Sequence, residues 1–254
     1  MSQEWFADWF DSPYYHILYQ HRNDDEAQQF IDNLLRALAI PPNAKVADLA
    51  CGKGRHARYI AQHAQLEVVG LDLSPQSIQY AQQFSHERLH FAVQDMRQVY
   101  KPHYFDYVFN FFTSFGYFDS PDDNLKTLRA IKHSLKPNGY VVIDFLNIVK
   151  VIANLVPANT QIIDNIRFDL TRQVKDNHIV KTIKITPPNE TPLYFEERVQ
   201  AISLEDLVSY FRESGFAIYE IWGSYALRPF NENTSDRLII VGRCFRSTKT
   251  PPTA

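Results

Sequence analysis

The stretch Lys45 to Ala57 reads K-V-A-D-L-A-C-G-K-G-R-H-A, and its order of residue types decides the fold. Val46, Ala47, Leu49 and Ala50 form a near-continuous apolar run, the pattern of a parallel strand covered on both faces. Gly52 and Gly54 then allow the backbone to turn sharply beside a ligand. A helix opening near Arg55 aims its free N–H groups back at that turn. Further on, Leu66 to Leu71 reads as a second buried strand, ending in Asp72. That acid lies about 20 residues past the glycines, the spacing of a strand-turn-helix-strand unit whose carboxylate accepts the hydroxyls of a ribose.

Gly52-x-Gly54-x-x-Ala57 also satisfies the dinucleotide fingerprint, so a nicotinamide or flavin enzyme has to be weighed. Asp48 speaks against it. The carboxylate sits inside the first strand, where a pyrophosphate would approach, and two anions in a partly desolvated crevice repel by several kcal/mol. A cationic ligand gains from the same charge, and S-adenosylmethionine carries an ammonium and a sulfonium. On these residues the chain resembles the class I S-adenosylmethionine-dependent methyltransferases. A nicotinamide oxidoreductase, a binding protein for S-adenosylmethionine or S-adenosylhomocysteine without transferase activity, and a protein or RNA methyltransferase stand as alternatives.

The resemblance extends along the chain in the family's order. Asp48, Ala50, Cys51, Gly52 and Gly54 fall in its first motif, with Ala50 where the first glycine usually stands. Asp72 matches the ribose-binding acid, and Leu73 follows beside the adenine. Gln94, Asp95 and Met96 end a short strand from Leu89 to Val93, and the resemblance has Asp95 accept from the adenine amino group. Asn110 and Phe111 close the strand that begins at Phe105, and Leu135 to Tyr140 resembles the family's turn into a fifth strand, Val141 to Phe145. An N-terminal segment lying over the cofactor makes Tyr15, Tyr19 and Arg22 candidates for its amino-acid end. Additions after the fifth strand commonly form a lid, which would bring Tyr194, Phe195, Tyr225 and Arg228 to face Phe111, Phe112, Phe115 and Tyr117 across an acceptor pocket. Arg228, Arg167 or Arg198 could there pair an acidic acceptor.

The remaining segments give an outline. The first 22 residues are too aromatic to be a solvated tail, and a helix capped by Asn23 carries the apolar stripe Phe30, Ile31, Leu34, Leu35 and Leu38 up to Pro41. Ser74-Pro75 opens a helix to about Phe84, and Ser120-Pro121-Asp122-Asp123 opens another. From Ile148 the alternation of strands and helices stops. Ile166 to Thr171, the region of Ile183 and Ile185, and Leu193 to Ile202 alternate apolar with polar residues, as antiparallel strands do. Ser203-Leu204-Glu205-Asp206 then caps a helix ended by Gly215, before two last strands at Phe216–Trp222 and Arg237–Phe245. The expected architecture is α/β: a doubly wound, Rossmann-like seven-stranded sheet, mostly parallel with the last strand antiparallel, plus a small antiparallel β insert. The expected units are 1–42 over the cofactor site, 43–157 with 203–246 as the methyltransferase domain, 158–202 as insert or lid, and 247–254 as a loose tail.

Composition narrows the partners. In 254 residues, 26 basic and 29 acidic side chains are well mixed for a net charge of −3, which gives no field for a nucleic-acid backbone or an anionic lipid surface. The expected partner is a small-molecule acceptor, with neither nucleic acid nor membrane, and the protein is expected to be a monomer or homodimer. Cys51 and Cys244 are the only cysteines, as in a reduced, cytoplasmic protein. Neither follows a proline, as the nucleophile of cytosine C5 enzymes does, and Asn110-Phe111-Phe112-Thr113 lacks the two prolines of nucleic-acid amino-methyltransferases. No His/Cys cluster has zinc spacing. Asp144 and Asn147 could suggest a metal site like that of catechol-type enzymes, but Asp144 lies in an apolar strand, which favours a substrate or hydrogen-bond role, so a chelator should leave activity unchanged. Methyl transfer needs a base only when the acceptor must lose a proton, and His16, Tyr117, Asp119 and Tyr225 are the candidates.

Overall fold

The computed structural model describes residues 5–20, 24–63 and 65–245. Arg22, the Asn23 cap and the 247–254 tail lie outside them.

Apolar burial builds the central sheet from the first motif outward. Strand β1 (Lys45–Leu49) is buried over four of its five residues, and β2 (Glu67–Asp72) pairs with it in parallel, Asp48 opposite Gly70. Strand β3 (Leu89–Val93) adds beyond β2, while β4 (Phe105–Asn110) adds on the other side of β1, also in parallel. The chain therefore reverses direction across the sheet between β1 and β4, the place where doubly wound sheets open a crevice at their carboxyl ends. Strand β5 (Leu135–Leu146) runs parallel to β4, and β11 (Arg237–Cys244) lies antiparallel between β5 and β10 (Phe216–Trp222). The order is β10-β11-β5-β4-β1-β2-β3, seven strands with the last antiparallel to the rest, as the sequence indicates.

Helices cover both faces. On one, α3 (Asp24–Ala37), α4 (Arg55–His63) and α5 (Pro75–Gln82) bury Phe30, Leu34, Ile60 and Ile78. On the other, α6 (Pro121–Ser134) and α8 (Leu204–Glu213) bury Leu128, Ile131, Leu207 and Phe211. The Ser74 side chain accepts from Ser77 N, and Ser203 with Asp206 makes a reciprocal capping box, whereas the Ser120 side chain accepts from Asp122 N and Asp123, at the capping-box position, pairs with Lys126 and Arg97. Helix α5 stops at Gln82, short of Phe84.

After β5 a short helix, α7 (Ile148–Ala153), leads into a separate antiparallel sheet. Its order is β6 (Ala158–Ile163), β7 (Ile166–Lys175), β8 (His178–Thr186) and β9 (Leu193–Gln200). Strand β6 is mostly exposed and so lacks the alternation that marks the other three. The inner face of this sheet, with Phe168, Leu170, Ile183 and Ile185, is where the aromatic N-terminal segment packs. Helices α1 (Trp5–Phe10) and α2 (Pro13–Leu18) insert Trp9 and Leu18 there, and the Trp9 and Phe195 rings lie 4.9 Å apart.

Candidate active site

A cavity of about 310 Å³ opens at the carboxyl ends of β1, β2 and β3. One half is built by the two motifs of the first βαβ unit. Ala50 and Gly52 take left-handed φ angles of 62° and 53°, so the loop after β1 coils tightly. Ala50 N and Cys51 N both donate to Leu71 O, at 2.7 and 3.1 Å, and tie the loop to β2. Asp72 closes the crevice: its Oδ2 accepts from Gly52 N at 2.7 Å and its Oδ1 from Ser74 N at 2.8 Å. Each oxygen keeps a lone pair for a hydroxyl donor. Burial pushes the Asp72 carboxyl up, and the Ser74 and Gly52 N–H groups pull it back.

These residues fit a bound nucleoside that carries positive charge. A Cβ on Gly52 would meet nothing within 4 Å, so the backbone there borders open space that a ligand can approach. Beneath the loop Asp48 is 1% exposed, and its Oδ2 has no hydrogen-bond partner. Burial pushes its carboxyl up to about 7, and the charge of Asp72 adds to this, against the Ala57 N–H and Arg55. Once ionised, above about pH 7, the orphaned carboxyl oxygen under the turn suits a cation and disfavours a pyrophosphate.

Leu73, Gln94, Asp95 and Met96 line the far end of this half. The Asp95 side chain is forked onto Arg97, with Nη2 to Oδ2 at 2.7 Å, and Arg97 N also donates to Oδ1 at 2.9 Å. Burial pushes the Asp95 carboxyl up, but these bonds outweigh it and hold it below the usual range. Asp95 thus meets a ligand as a fixed carboxylate.

The other half is walled by α1 and α2, with Phe10, Tyr15 and His16, and by the loop after β4, with Phe112, Thr113, Ser114 and Tyr117. Phe112 and Thr113 hold φ angles of 56° and 61°, costly for side chains of this bulk. Buried Asp144 on β5 fixes them. Its Oδ2 accepts from Phe112 N at 2.8 Å, its backbone oxygen accepts from Thr113 N at 2.9 Å, and its Oδ1 accepts from Arg237 Nε at 2.7 Å. Arg237 Nη2 donates in turn to Thr113 Oγ1 at 2.9 Å.

Of the site candidates read from sequence, Tyr15, Ala50, Gly52, Asp72, Leu73, Gln94, Asp95, Met96, His16, Tyr117 and Phe112 line this cavity. Asp48 and Asn110 lie under its floor, where Asn110 Nδ2 donates to Leu49 O at 2.9 Å. Cys51, Phe111 and Phe115 are buried in the hydrophobic core. A Cβ on Gly54 would strike Phe91 at 2.5 Å, so that glycine allows close packing under α4. Tyr19 points its hydroxyl at Glu197 of β9. Tyr225 donates to Asp144 Oδ2 at 3.3 Å and packs on Phe30 and Phe112, and burial with the Asp144 charge pushes its hydroxyl well up. Tyr194 is 66% exposed and Arg228 is exposed. Arg167 is ion-paired with Asp169, and Arg198 with Asp119.

Several lining residues carried no sequence signal. Asp8 and Asp11 come from the N-terminal segment, and Asp11 Oδ1 accepts from Ser74 Oγ and, at 3.3 Å, from Gln76 N, joining that segment to the start of α5. Ser74 read only as a capping residue, and Ser77 carried no reading.

Residues 46–139 match the family model described as a methyltransferase domain. YqeM, a putative methyltransferase of Bacillus subtilis (strain 168), is 30% identical over 149 residues, a stretch that covers 58% of this chain and 58% of that protein. An S-adenosylmethionine-dependent methyltransferase from Clostridium acetobutylicum superposes with a TM-score of 0.76 at 18% identity, over 92% of this chain and 96% of its own. The sugar N-methyltransferase KedS8 from Streptoalloteichus superposes with a TM-score of 0.71 at 15% identity, over 91% of this chain and 93% of its own. The fold is that of the Rossmann-like methyltransferases. Over residues 46–139 the likeness is to a methyltransferase domain, and the solved structures that share the whole fold include S-adenosylmethionine-dependent methyltransferases. Among the described residues no helix is long and apolar enough to cross a membrane, and no three His, Cys, Asp or Glu residues group as metal ligands.

Proposed function

We propose that the protein transfers the methyl group of S-adenosylmethionine to nitrogen or oxygen of a small-molecule acceptor held in the second half of the cavity. The observation that carries this reading is the continuity of the Gly52–Asp72 cradle with the aromatic wall of Tyr15, Phe112 and Tyr117 in one cavity. Asp72 would hold the ribose hydroxyls and Asp95 the adenine edge, with Leu73 and Met96 beside the ring. The backbone at Gly52 would border the amino-acid end. Bound there, the cofactor supplies a methyl carbon already activated by its sulfonium.

The chain's own residues then orient and desolvate. Phe10, Tyr15, Phe112 and Tyr117 exclude water, and the hydroxyls of Thr113 and Ser114 offer polar contacts. Alignment of acceptor and methyl donor in line can lower the barrier by several kcal/mol. Where the acceptor must shed a proton, His16 and Tyr117 are the candidate bases that line the cavity. Asp119 is ion-paired with Arg198, and the Tyr225 hydroxyl is committed to Asp144. The likeness of the fold to a sugar N-methyltransferase supports an amino sugar as the first acceptor class to try.

Isothermal titration with S-adenosylmethionine and S-adenosylhomocysteine, with NADH as control, tests the cofactor. Micromolar binding of the first two is expected, and binding of NADH alone would overturn the reading. Amino sugars, phenols and alkyl amines are then screened for release of S-adenosylhomocysteine. Turnover of none of them would favour a binding protein.

A further inference from the structure

Strand β9 of the insert contributes no residue to the cavity, yet it is bonded to both walls of the acceptor half. Glu197, 8% exposed, reaches the N-terminal wall: its Oε1 accepts from Trp9 Nε1 at 2.7 Å, and its two oxygens accept from the Tyr19 hydroxyl at 2.7 and 2.8 Å. Lys181 Nζ, 3.4 Å from Oε2, balances the charge. Trp9 and Tyr19 in turn flank Tyr15, with ring centroids 5.6 and 5.0 Å from it, and Tyr15 lines the cavity beside His16. Three residues on, Gln200, 4% exposed, reaches the opposite wall. Its backbone N donates to Gly116 O at 2.8 Å and its Nε2 to Phe118 O at 2.6 Å, on either side of Tyr117. Its Oε1 accepts from buried Asn124 Nδ2 at 2.6 Å, which fixes the amide.

A buried glutamate needs its bonds satisfied, and here they are supplied by Lys181 of the insert and by Trp9 and Tyr19 of the segment that forms the acceptor wall. We propose that β9 sets acceptor specificity without touching the acceptor, Glu197 and Gln200 being positioning residues that fix the separation of the two walls. The inference rests on the methyltransferase reading and adds to it the element that tunes the acceptor. Glu197→Gln leaves one acceptor oxygen for three donors, the Trp9 indole, the Tyr19 hydroxyl and the Lys181 ammonium, and removes the charge that balances Lys181, while Gln200→Ala frees the loop at Phe118.

Both variants are tested with whatever acceptor the screen returns, alongside hydrogen exchange of the S-adenosylhomocysteine complex. Each variant is expected to raise the acceptor KM at least tenfold, with kcat and the affinity for S-adenosylhomocysteine within about threefold of the parent. Exchange should rise over residues 8–19 in Glu197→Gln and over 112–119 in Gln200→Ala, each leaving the other segment protected. An unchanged KM, an equal fall in kcat, or both segments loosened together in both variants would overturn the clamp. Failure of the parent to bind S-adenosylhomocysteine would instead sink the functional reading.

Discussion

Replacing Asp144 by asparagine isolates the support of the acceptor wall. Asp144 is fully buried and accepts from Phe112 N, Arg237 Nε and the Tyr225 hydroxyl, while the Arg237 side chain is only 18% exposed. The substitution keeps the volume but removes the charge, leaving the guanidinium uncompensated in a buried setting. Breaking one side of such a pair costs about 3–5 kcal/mol. At about 2–4 °C per kcal/mol for a chain of this size, the melting temperature should fall by roughly 10 °C. Urea unfolding reads the free energy, and the double variant with Arg237→Leu should recover part of the loss, because the stranded charge is gone. The local consequence is separate: without its carboxylate, the left-handed pair Phe112 and Thr113 relaxes and the acceptor KM rises, while binding of S-adenosylhomocysteine holds within about threefold. A loss below about 1 kcal/mol, or full additivity with Arg237→Leu, would refute the claim that this pair holds the wall.

Three further outcomes follow from the cofactor half. Asp72→Ala removes the acceptor for Gly52 N and Ser74 N as well as the proposed ribose ligand, so affinity for S-adenosylmethionine should fall by about 30-fold or more by titration, at roughly 2 kcal/mol for charge-assisted bonds. Retained micromolar binding would exclude Asp72 from the site. Gly52→Ala meets no neighbour and should cost only about 1–2 kcal/mol of stability for its left-handed φ, yet its Cβ would enter the cavity and weaken cofactor binding at least tenfold. Unaltered affinity would mean that the ligand does not approach this loop. Asp48 has its carboxyl raised from 3.8 to about 7 in the folded protein, so the native state holds a proton that the unfolded chain has lost. Its stabilising contribution is complete below the unfolded value and disappears as pH rises through about 7, up to about 4 kcal/mol at 1.36 kcal/mol per unit. Unfolding free energies of Asp48→Asn between pH 4 and 8 should fall less steeply than those of the parent, and parallel curves would show that Asp48 ionises normally.

Much of the cofactor half was legible because its determinants are local. The strand, glycine turn, helix and second strand from Lys45 to Asp72 each announce themselves within a few residues, and pairing of neighbouring parallel strands brings Gly52 N onto Asp72 over a separation of only 20 residues. The caps at Ser74, Ser120 and Ser203 are local in the same way. The acceptor half is different. Trp9 meets Glu197 across 188 residues, and Arg237 meets Thr113 across 124. Glu197 sits in a strand pattern with Glu196 and Arg198, where a charged residue reads as solvent-facing. Its burial arises only because an aromatic segment from the other end of the chain covers that face. The same cause accounts for the placing of Tyr194 and Phe195: alternation puts one ring on the exposed face and the other under Trp9, and neither reaches the cavity.

This division has a consequence for how the site can change. The cofactor half is secured by bonds within one βαβ unit, so its geometry survives alterations elsewhere in the chain. The acceptor half is held by separate segments, α1 with α2, the loop after β4, β9, and the Asp144–Arg237 pair of β5 and β11, joined through a handful of buried polar bonds. Shifting any one of them by about 1 Å would alter the fit of an acceptor, since a small displacement at a reacting centre already costs large factors in rate. Such a shift leaves Gly52 and Asp72 where they are. Substitutions on β9 should therefore alter which acceptor is used before they alter cofactor binding, whereas substitutions in the Ala50–Gly52 loop should do the reverse.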